Sequence, residues 1–228
     1  MEFIDLKSQQ NKLTPQGIPL REEIDKRIKS VLNHGKYIMG PEVAELEGLL
    51  ASYVGSKNCI AVSSGTDALL ISLMALGIGP GDEVITTPFT WISTVEVILL
   101  SGATPVFVDI ERATCNIDHK KIKEAISTKT KAVIPVSLYG QPSNMDEINE
   151  IASQHNISVI EDAAQSFGGS IREKKVGTFG DIAATSFYPA KPLGCYGDGG
   201  AIFTNDDSLA EECKAIRIHG TKTDRYNS

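Results

Sequence analysis

Short apolar runs alternate with segments of helical periodicity along most of this chain. The apolar runs predict strands at residues 59–64, 83–87, 105–110, 132–138, 158–161, 183–188 and 201–204. Between most of them, apolar residues recur at helical spacing and predict helices at 67–76, 92–100, 120–126 and 145–154. Because these strands are too apolar to face water on either side, we predict an α/β fold with three layers, in which helices cover both faces of a mainly parallel sheet.

A polar arm and two more helices are predicted ahead of the first strand. One face of the first helix carries Leu20, Ile24, Ile28 and Val31. Pro41 stands where a second helix should begin, and the apolar stripe of that helix consists of Val43, Leu46, Leu49, Leu50 and Tyr53. Near residue 228 a helix-like segment is followed by no closing element, and we therefore expect the sequence to be a fragment.

The composition is that of an ordinary globular protein, with 41% hydrophobic and 22% charged residues. A net charge of −7 without acidic blocks argues against a nucleic-acid surface. The cysteines have no metal-type spacing, which favours reduced thiols at Cys59, Cys115, Cys195 and Cys213. No secretion signal is visible, and no run approaches the roughly 18 apolar residues of a membrane span. We predict a soluble, cytoplasmic protein.

A turn of small residues, Ser63-Ser64-Gly65-Thr66-Asp67, joins a predicted strand to a predicted helix. Free N–H groups and the positive end of the helix dipole make such a helix start an anion site. Gly65 permits close approach of the backbone, and the Thr66 hydroxyl adds a donor. A simple N-cap with a tight turn explains the same residues. The motif by itself leaves both interpretations open.

The single tryptophan, Trp91, follows a predicted strand end, where an α/β sheet places its ligands. An indole ring there can stack on a planar aromatic cofactor, although a tryptophan taken alone is more often a core residue.

A lysine and an acid, each near the end of a predicted buried strand, are the most informative pair in the chain. Asp162 follows one strand, and Lys191 follows another among apolar neighbours. Desolvation there would lower the pKa of the lysine and make its amine nucleophilic. Enzymes that use pyridoxal phosphate (PLP) need such a lysine to form a Schiff base, and such an acid to keep the pyridine nitrogen protonated. Helix capping for Asp162 and a solvated surface for Lys191 are the alternatives.

Further residues extend this hypothesis. Gln165 lies where it can reach the ring hydroxyl of the cofactor, and the Ser186 hydroxyl can donate to the phosphate. Glu161 should point to the opposite side of its strand. The histidines show no metal spacing, and the serines lack the GxSxG elbow of a hydrolase, so no metal site or serine-hydrolase mechanism is predicted.

With these residues identified, nearly the whole chain resembles the DegT/DnrJ family of PLP-dependent nucleotide-sugar aminotransferases, which have the aspartate-aminotransferase fold (fold type I). The resemblance rests on ordered motifs, namely Phe3-Ile4-Asp5-Leu6, Gly40-Pro41-Glu42-Val43, Ser64-Gly65-Thr66-Asp67-Ala68-Leu69, Pro80-Gly81-Asp82-Glu83-Val84, Pro88-Phe89-Thr90-Trp91, Glu161-Asp162-Ala163-Ala164-Gln165-Ser166, Ser186-Phe187 with Lys191, and Gly197-Asp198-Gly199-Gly200.

The resemblance implies a role for each candidate site residue. Lys191 and Asp162 would be the catalytic residues, as the Schiff-base lysine that later moves the proton and as the pyridinium partner. The cofactor site would comprise Gly65, Thr66, Asp67, Trp91, Asp162, Gln165, Ser186 and Lys191, with the phosphate held by Thr66, Ser186 and the backbone of Gly65 and Asp67. Trp91 would stack on the ring. Some relatives carry histidine in place of this lysine and act as sugar dehydratases.

The segments 137–141 and 191–206 are most similar to one subgroup of that family. Its members use L-glutamate to aminate a UDP-linked 3-keto N-acetylglucosaminuronic acid for surface polysaccharide such as O-antigen in lipopolysaccharide. The alternatives are a PLP-dependent sugar dehydratase and a truncated, non-catalytic binding module of the same fold. Lysine at position 191 favours transamination.

The resemblance also implies the domain organisation. We expect an N-terminal arm and helix at residues 1–35, the PLP-binding large domain at 36–215, and at 216–228 the start of the connection to an absent, smaller C-terminal domain. Family members close the active site and a homodimer with that domain. The family's asparagine that reaches the neighbouring subunit's phosphate should lie beyond residue 228, so Asn227 is not assigned that role.

Overall fold

A computed structural model describes residues 4–221 of the chain. Its strands are β1 Asn58–Val62, β2 Glu83–Thr86, β3 Thr104–Phe107, β4 Thr130–Val133, β5 Ser158–Asp162, β6 Ser170–Ile171, β7 Lys174–Lys175, β8 Ile182–Ser186 and β9 Gly200–Thr204. Its α-helices are α1 Leu6–Gln9, α2 Leu20–His34, α3 Pro41–Val54, α4 Gly65–Ala75, α5 Ser93–Leu100, α6 His119–Ala125, α7 Met145–His155 and α8 Asp207–Arg217.

Seven strands form one sheet in the order β1-β9-β8-β5-β4-β2-β3. The pairings β2–β3, β2–β4, β4–β5 and β5–β8 are parallel, and β9 runs antiparallel to both of its neighbours, β1 and β8. Because β1 and β8 both oppose β9, they run in the same direction as each other. The predicted mainly parallel sheet is confirmed.

Helices cover both faces of this sheet. On one face, α4, α5 and α8 pack on the strands through side chains such as Leu73, Ile98 and Cys213. On the other face, α6 and α7 pack through Ile122 and Ile148, and α3 packs through its own cluster further along the sheet. The predicted three-layer arrangement is confirmed, because strands with apolar side chains on both faces need cover on both sides.

Some predicted apolar stripes are not buried within the described residues. No residue of α2 is buried, and Ile28 is 51% exposed. Helix α2 is held to α3 by polar contacts instead: Arg27 makes two hydrogen bonds to Glu45, and His34 lies 3.0 Å from Glu42. In α3, Leu50 and Val54 are buried while Leu46, Leu49 and Tyr53 stay exposed. Only one edge of the predicted α3 stripe therefore meets the core, and the predicted α2 stripe is not buried among the described residues.

Most element bounds differ from the predicted ones by one or more residues. The strand predicted at 132–138 ends at Val133, and the chain then reaches a 3₁₀ helix, Leu138–Gly140. The β6–β7 hairpin was not predicted, because two-residue strands leave no periodic signal. The division predicted at residue 215 falls inside α8, and residues 222–228, which include Asn227, lie outside the described part of the chain. The domain boundaries remain a prediction.

Among residues 4–221, no helix combines the length and the apolar character that a bilayer crossing needs.

Candidate active site

The predicted site residues follow the carboxyl ends of four strands, β1, β2, β5 and β8. These strands run in one direction, so their carboxyl ends share one edge of the sheet. Gly65 follows β1, Trp91 follows β2, Asp162 ends β5 and Ser186 ends β8. Open α/β sheets bind their ligands at this edge.

Helix α4 begins directly against the end of β8. A Cβ atom added to Gly65 would lie 2.5 Å from the Ser186 Cβ and 3.1 Å from its Oγ. The start of β9 is equally close, because a Cβ on Gly200 would lie 2.4 Å from the Ser64 carbonyl oxygen. Only glycine fits at these contacts. The backbone at the helix start therefore lies beside the Ser186 side chain, as an anion cradle requires.

The first turn of α4 divides its N–H groups between capping and a ligand. The N–H of Asp67 donates to the Ser64 hydroxyl at 3.0 Å, so Ser64 is the N-cap. The Asp67 carboxylate in turn accepts from the hydroxyls of Ser63 and Ser64. Helix geometry gives the N–H groups of Gly65 and Thr66 no acceptor within the helix. The N-cap and the anion site, which the sequence left open as alternatives, are therefore compatible. Because the Asp67 N–H is used by the cap, the geometry favours the N–H groups of Gly65 and Thr66 as backbone donors to a ligand.

Asp162 is a buried carboxylate with two defined donors. The Thr94 hydroxyl donates to its Oδ2 at 3.0 Å, and the Ala164 N–H donates to its Oδ1 at 3.1 Å. Burial raises the pKa of Asp162, and these two donors and the nearby positive charge of Lys191 act in the opposite direction. A carboxylate held in this way is suited to bind a cationic group, since a buried charge requires a partner.

Lys191 lies in the loop after β8, where its N–H donates to the Tyr188 carbonyl at 2.8 Å. The residue is half-buried, and desolvation lowers the pKa of its amine while Asp162 raises it. Asp162 ends β5 and Lys191 follows β8, the parallel neighbour of β5, so both residues follow the same edge of the sheet. Each of the two groups acts on the pKa of the other.

The niche around Lys191 is more open than its apolar neighbours suggested. Tyr188 is 55% exposed and Leu193 is 42% exposed, whereas Phe187 is buried. The prediction that sequence neighbours enclose the amine is therefore wrong for most of them. They follow the end of β8 and turn outward with the loop. The prediction that desolvation lowers the pKa of the Lys191 amine agrees with the structure.

The two remaining candidates lie near the same edge. Trp91 is 70% exposed in the link between β2 and α5. Gln165 is partly buried just after β5, and its carbonyl accepts from the Gly140 N–H at 3.1 Å. The core interpretation of Trp91 is excluded by this exposure. Its stacking role and the Gln165 contact with a ring hydroxyl stay predictions.

Sequence reasoning missed Thr94 altogether. It lies inside the helical pattern predicted at 92–100, where a buried threonine is indistinguishable from a core residue. Its partner, Asp162, is 68 residues away in the chain. Glu161, predicted to point away from the site, does so: its Oε2 accepts from the N–H groups of Gly177 and Phe179, both at 3.1 Å.

A histidine lies close to two acids in the tertiary structure, although the histidines show no metal spacing along the sequence. Potential ligand atoms of Glu111, Asp118 and His119 lie within 4.8 Å of one another. Each already has a protein partner, because Asp118 caps α6 and His119 Nδ1 lies 3.3 Å from Glu111 and 3.0 Å from Asn144. This group lies in the segment that follows β3 and at the start of α6.

Comparison with known proteins identifies similar chains. The model of the DegT/DnrJ/EryC1/StrS aminotransferase family matches residues 19–228. A UDP-2-acetamido-2-deoxy-3-oxo-D-glucuronate aminotransferase of Pseudomonas aeruginosa is 56% identical over 220 residues, which cover 96% of this chain and 59% of that protein. The chain thus spans less than two thirds of the length of this relative.

Two solved structures are also similar to this chain in fold and in sequence. Streptomyces venezuelae DesV, in complex with a ketimine intermediate, matches with a TM-score of 0.92 and 40% identity over 98% of this chain and 58% of that one. An Escherichia coli GDP-4-keto-6-deoxy-D-mannose-3-dehydratase with bound hydrated PLP matches with a TM-score of 0.80 and 36% identity over 86% of this chain and 51% of that one.

Proposed function

We propose an activity for this chain from one premise: it belongs to the DegT/DnrJ/EryC1/StrS aminotransferase family. The activity is a PLP-dependent transfer of an amino group from L-glutamate to a keto nucleotide sugar. The observation that carries it is the pairing of Lys191 with the buried Asp162 at the ligand-binding edge of the sheet, each altering the pKa of the other.

The described residues fit PLP, which has a phosphate, a ring nitrogen and an aldehyde. The contact between Gly65 and Ser186 leaves no room for a Cβ, so the helix start and the serine hydroxyl can approach one phosphate together. Asp162 offers a buried carboxylate to a protonated ring nitrogen. Lys191 offers an amine of lowered pKa to the aldehyde. The bound cofactor would supply an electron sink for the carbon that gains or loses the amino group.

Each of these residues has its own role in the proposed reaction. Lys191 is the nucleophile, because a lowered pKa increases the fraction of neutral amine, and its Nζ later carries the proton to and from the substrate carbon. Asp162 holds the proton on the ring nitrogen. The N–H groups of Gly65 and Thr66, with the Ser186 hydroxyl, hold the phosphate. Trp91 would cover the ring face, and Gln165 would contact the ring hydroxyl.

The acceptor that we propose is UDP-2-acetamido-2-deoxy-3-keto-glucuronic acid. Support comes from the 56% identity with the Pseudomonas aeruginosa enzyme, whose name specifies a 3-oxo-glucuronate sugar. The product would enter surface polysaccharide, including the O-antigen of lipopolysaccharide. The cysteine spacing, which favours reduced thiols, supports the cytoplasm as the compartment.

A homodimer is the proposed assembly of the whole protein. Several aromatic side chains near the candidate site are exposed on the single chain, among them Trp91, Tyr139, Tyr188 and Tyr196. Aromatic residues of this kind are enriched where protein surfaces meet. A second subunit would cover them and restrict water at the site. Sedimentation of the whole protein tests this, since a monomer at micromolar concentration would contradict it.

A sugar dehydratase is the second candidate, because the chain also resembles the dehydratase structure with bound hydrated PLP. The lysine at position 191 favours the aminotransferase. The two differ in the sugar product: a transfer reaction leaves the amino group of glutamate on the sugar, whereas the dehydratase product has lost a hydroxyl group and carries no new nitrogen.

The test has two stages. Titration of this chain with PLP should produce the visible absorbance of a lysine-bound cofactor; no change in the spectrum would contradict cofactor binding. The protein encoded by the complete reading frame is then incubated with L-glutamate and a panel of 3-keto and 4-keto UDP- and dTDP-sugars. Release of 2-oxoglutarate with the 3-keto UDP-glucuronate sugar is the expected result. Mass spectrometry of the sugar should show that it has gained the amino group. A sugar product that has lost a hydroxyl group and gained no nitrogen would establish the dehydratase instead.

A further inference from the structure

Two threonines and Asp162 form a connected chain of hydrogen-bonding groups beside the candidate site. Thr90 Oγ1 lies 3.2 Å from Thr94 Oγ1, and Thr94 Oγ1 lies 3.0 Å from Asp162 Oδ2. Thr94 is the second residue of α5 and is 1% exposed, and Asp162 is 4% exposed. Water is therefore largely excluded from the bond between them.

The direction of this chain follows from the chemistry of its members. An ionised carboxylate only accepts, so the one hydroxyl hydrogen of Thr94 goes to Asp162. The Thr94 oxygen is then an acceptor, and Thr90 must be the donor between the two threonines. Each hydroxyl hydrogen in the chain therefore has one defined acceptor, which fixes the rotamer of Thr94 and the position of Oδ2.

The second oxygen of Asp162 is fixed independently. The Ala164 N–H donates to Oδ1 at 3.1 Å, so each carboxylate oxygen has one protein donor. Both oxygens keep further acceptor capacity. The carboxylate plane is thereby set by two donors from different elements, α5 and the turn after β5. Charge-assisted hydrogen bonds of this kind are about twice as strong as neutral ones.

We propose that Thr94 is a positioning residue for the cofactor, acting through Asp162, and that Thr90 supports it in that role. The hydroxyl of Thr94 favours the ionised carboxylate and holds it in one orientation toward the ring nitrogen. Thr90 also precedes Trp91, so the same chain links the segment that carries the proposed ring-stacking residue to the carboxylate. Neither threonine needs to touch the cofactor. This inference rests on the proposed function.

Other charges act on the same carboxylate and must be separated from Thr94. Lys191 lowers the pKa of Asp162 from across the site, and Glu161 is its neighbour in β5 with its carboxyl on the other face of the sheet. A substitution at Thr94 leaves both of these groups in place. A change in the pKa of Asp162 that this substitution causes can therefore be assigned to the lost hydroxyl.

The first experiment uses the cofactor-free chain. Carboxyl ¹³C resonances are followed against pH by NMR in the wild type, Thr94→Val and Thr94→Ser, with Asp162→Asn used to assign the signal. Valine matches threonine in shape but has no donor, so the pKa of Asp162 should rise; serine restores the donor and should return it toward the wild-type value. Thr90→Val should raise it by less.

A matched control separates positioning from general stability. Thr86 is fully buried and donates to the Ile134 carbonyl at 2.9 Å, whereas the hydrogen bonds to the Asp162 carboxylate come from Thr94 and Ala164. Thr86→Val should lower the melting temperature but leave the Asp162 titration unchanged. An unchanged Asp162 titration in Thr94→Val would overturn the inference. If that variant does not fold, Thr94→Cys, which keeps the size but has a weak donor, decides the question by the same criterion.

The second experiment adds PLP. Near the pH at which Asp162 titrates, Thr94→Val should bind PLP about 10-fold more weakly than the wild type, with affinity recovering as pH rises, because a hydrogen bond to a charged group contributes about that factor. Thr94→Ser should match the wild type. Equal affinities across pH for Thr94→Val and wild type would overturn the positioning role. Failure of the wild type to bind PLP would instead overturn the proposed function, and the titration without cofactor would still test the Thr94 bond.

Discussion

Glu161 and Asp162 are consecutive residues of β5 whose carboxyl groups lie on opposite faces of the sheet. Asp162 accepts from Thr94 and Ala164 at the candidate site, whereas Glu161 accepts from the N–H groups of Gly177 and Phe179. The alternation of side chains along a strand separates them. One carboxylate is thus available to a ligand, and the other holds the segment that leads from β7 into β8.

Glu161 should make the stability of the protein depend on pH. Burial raises its pKa from 4.5 to about 7. Its contribution is complete below pH 4.5 and is lost as the pH rises through about 7, because the folded state binds this proton more tightly than the unfolded chain. That difference corresponds to about 3 kcal/mol across the window.

Glu161→Gln removes this dependence. The free energy of unfolding of the variant, relative to the wild type, should therefore increase by about 3 kcal/mol between pH 4.5 and pH 7.5. Urea unfolding at several pH values measures it. Glu147→Gln, at an exposed position of α7, is the control. Its free energy of unfolding relative to the wild type should not change over this pH range. If the free energy of unfolding of Glu161→Gln relative to the wild type were also independent of pH, Glu161 would not be the source of the pH dependence.

Gly65→Ala should damage both the fold and the anion cradle. The new Cβ would lie 2.5 Å from the Ser186 Cβ, so α4 must move away from β8. Overpacking of this kind costs about 1–3 kcal/mol, and the separated cradle should bind PLP more weakly. Calorimetry and a PLP titration measure the two effects.

The control for that substitution is Gly48→Ala. Gly48 is exposed in α3, and an added Cβ there has no atom within 4 Å among the described residues. The control should stabilise the protein by about 1 kcal/mol through helix propensity and leave PLP binding unchanged. If Gly65→Ala bound PLP as the wild type does, the close approach of α4 and β8 would have no role in the site.

Lys191→Ala should abolish the visible absorbance that PLP acquires on joining a lysine. The variant keeps Asp162 and the phosphate cradle, so PLP can still bind without a covalent bond and retain the spectrum of the free aldehyde. Borohydride followed by peptide mass analysis should mark residue 191 in the wild type. Lys129→Ala, at an exposed position, should behave as the wild type. Persistence of the absorbance band in Lys191→Ala would show that another amine is used.

Asp162→Asn should lower the pKa of Lys191 further. Desolvation already lowers it, and the carboxylate is the group that raises it, so its neutralisation removes the opposing effect. The pH profile of the rate of Schiff-base formation with PLP should shift to lower pH. Asp198→Asn, an exposed acid close to Lys191 in sequence, serves as the control and should leave the profile in place. A profile that moves equally in both variants would exclude a specific Asp162–Lys191 interaction.

The alternation of apolar runs and helical stripes was sufficient to predict the layered α/β fold. A strand such as β8, buried at every position, requires cover on both faces wherever it lies in the sheet. The candidates for chemistry were also visible, because Gly65, Asp162 and Lys191 stand where local patterns change from strand to turn. These signals are local, and local physics produces them.

Only the tertiary structure decided which of those positions meet. Gly65 and Ser186 are in contact because β9 runs antiparallel between β1 and β8, and neither strand order nor strand direction follows from hydrophobic periodicity. The bond from Thr94 to Asp162 joins residues 68 positions apart and resembles core packing in the sequence. Burial was misjudged for the same reason: whether Tyr188 or Ile28 is covered depends on which other segments reach it, and that is a property of the folded chain.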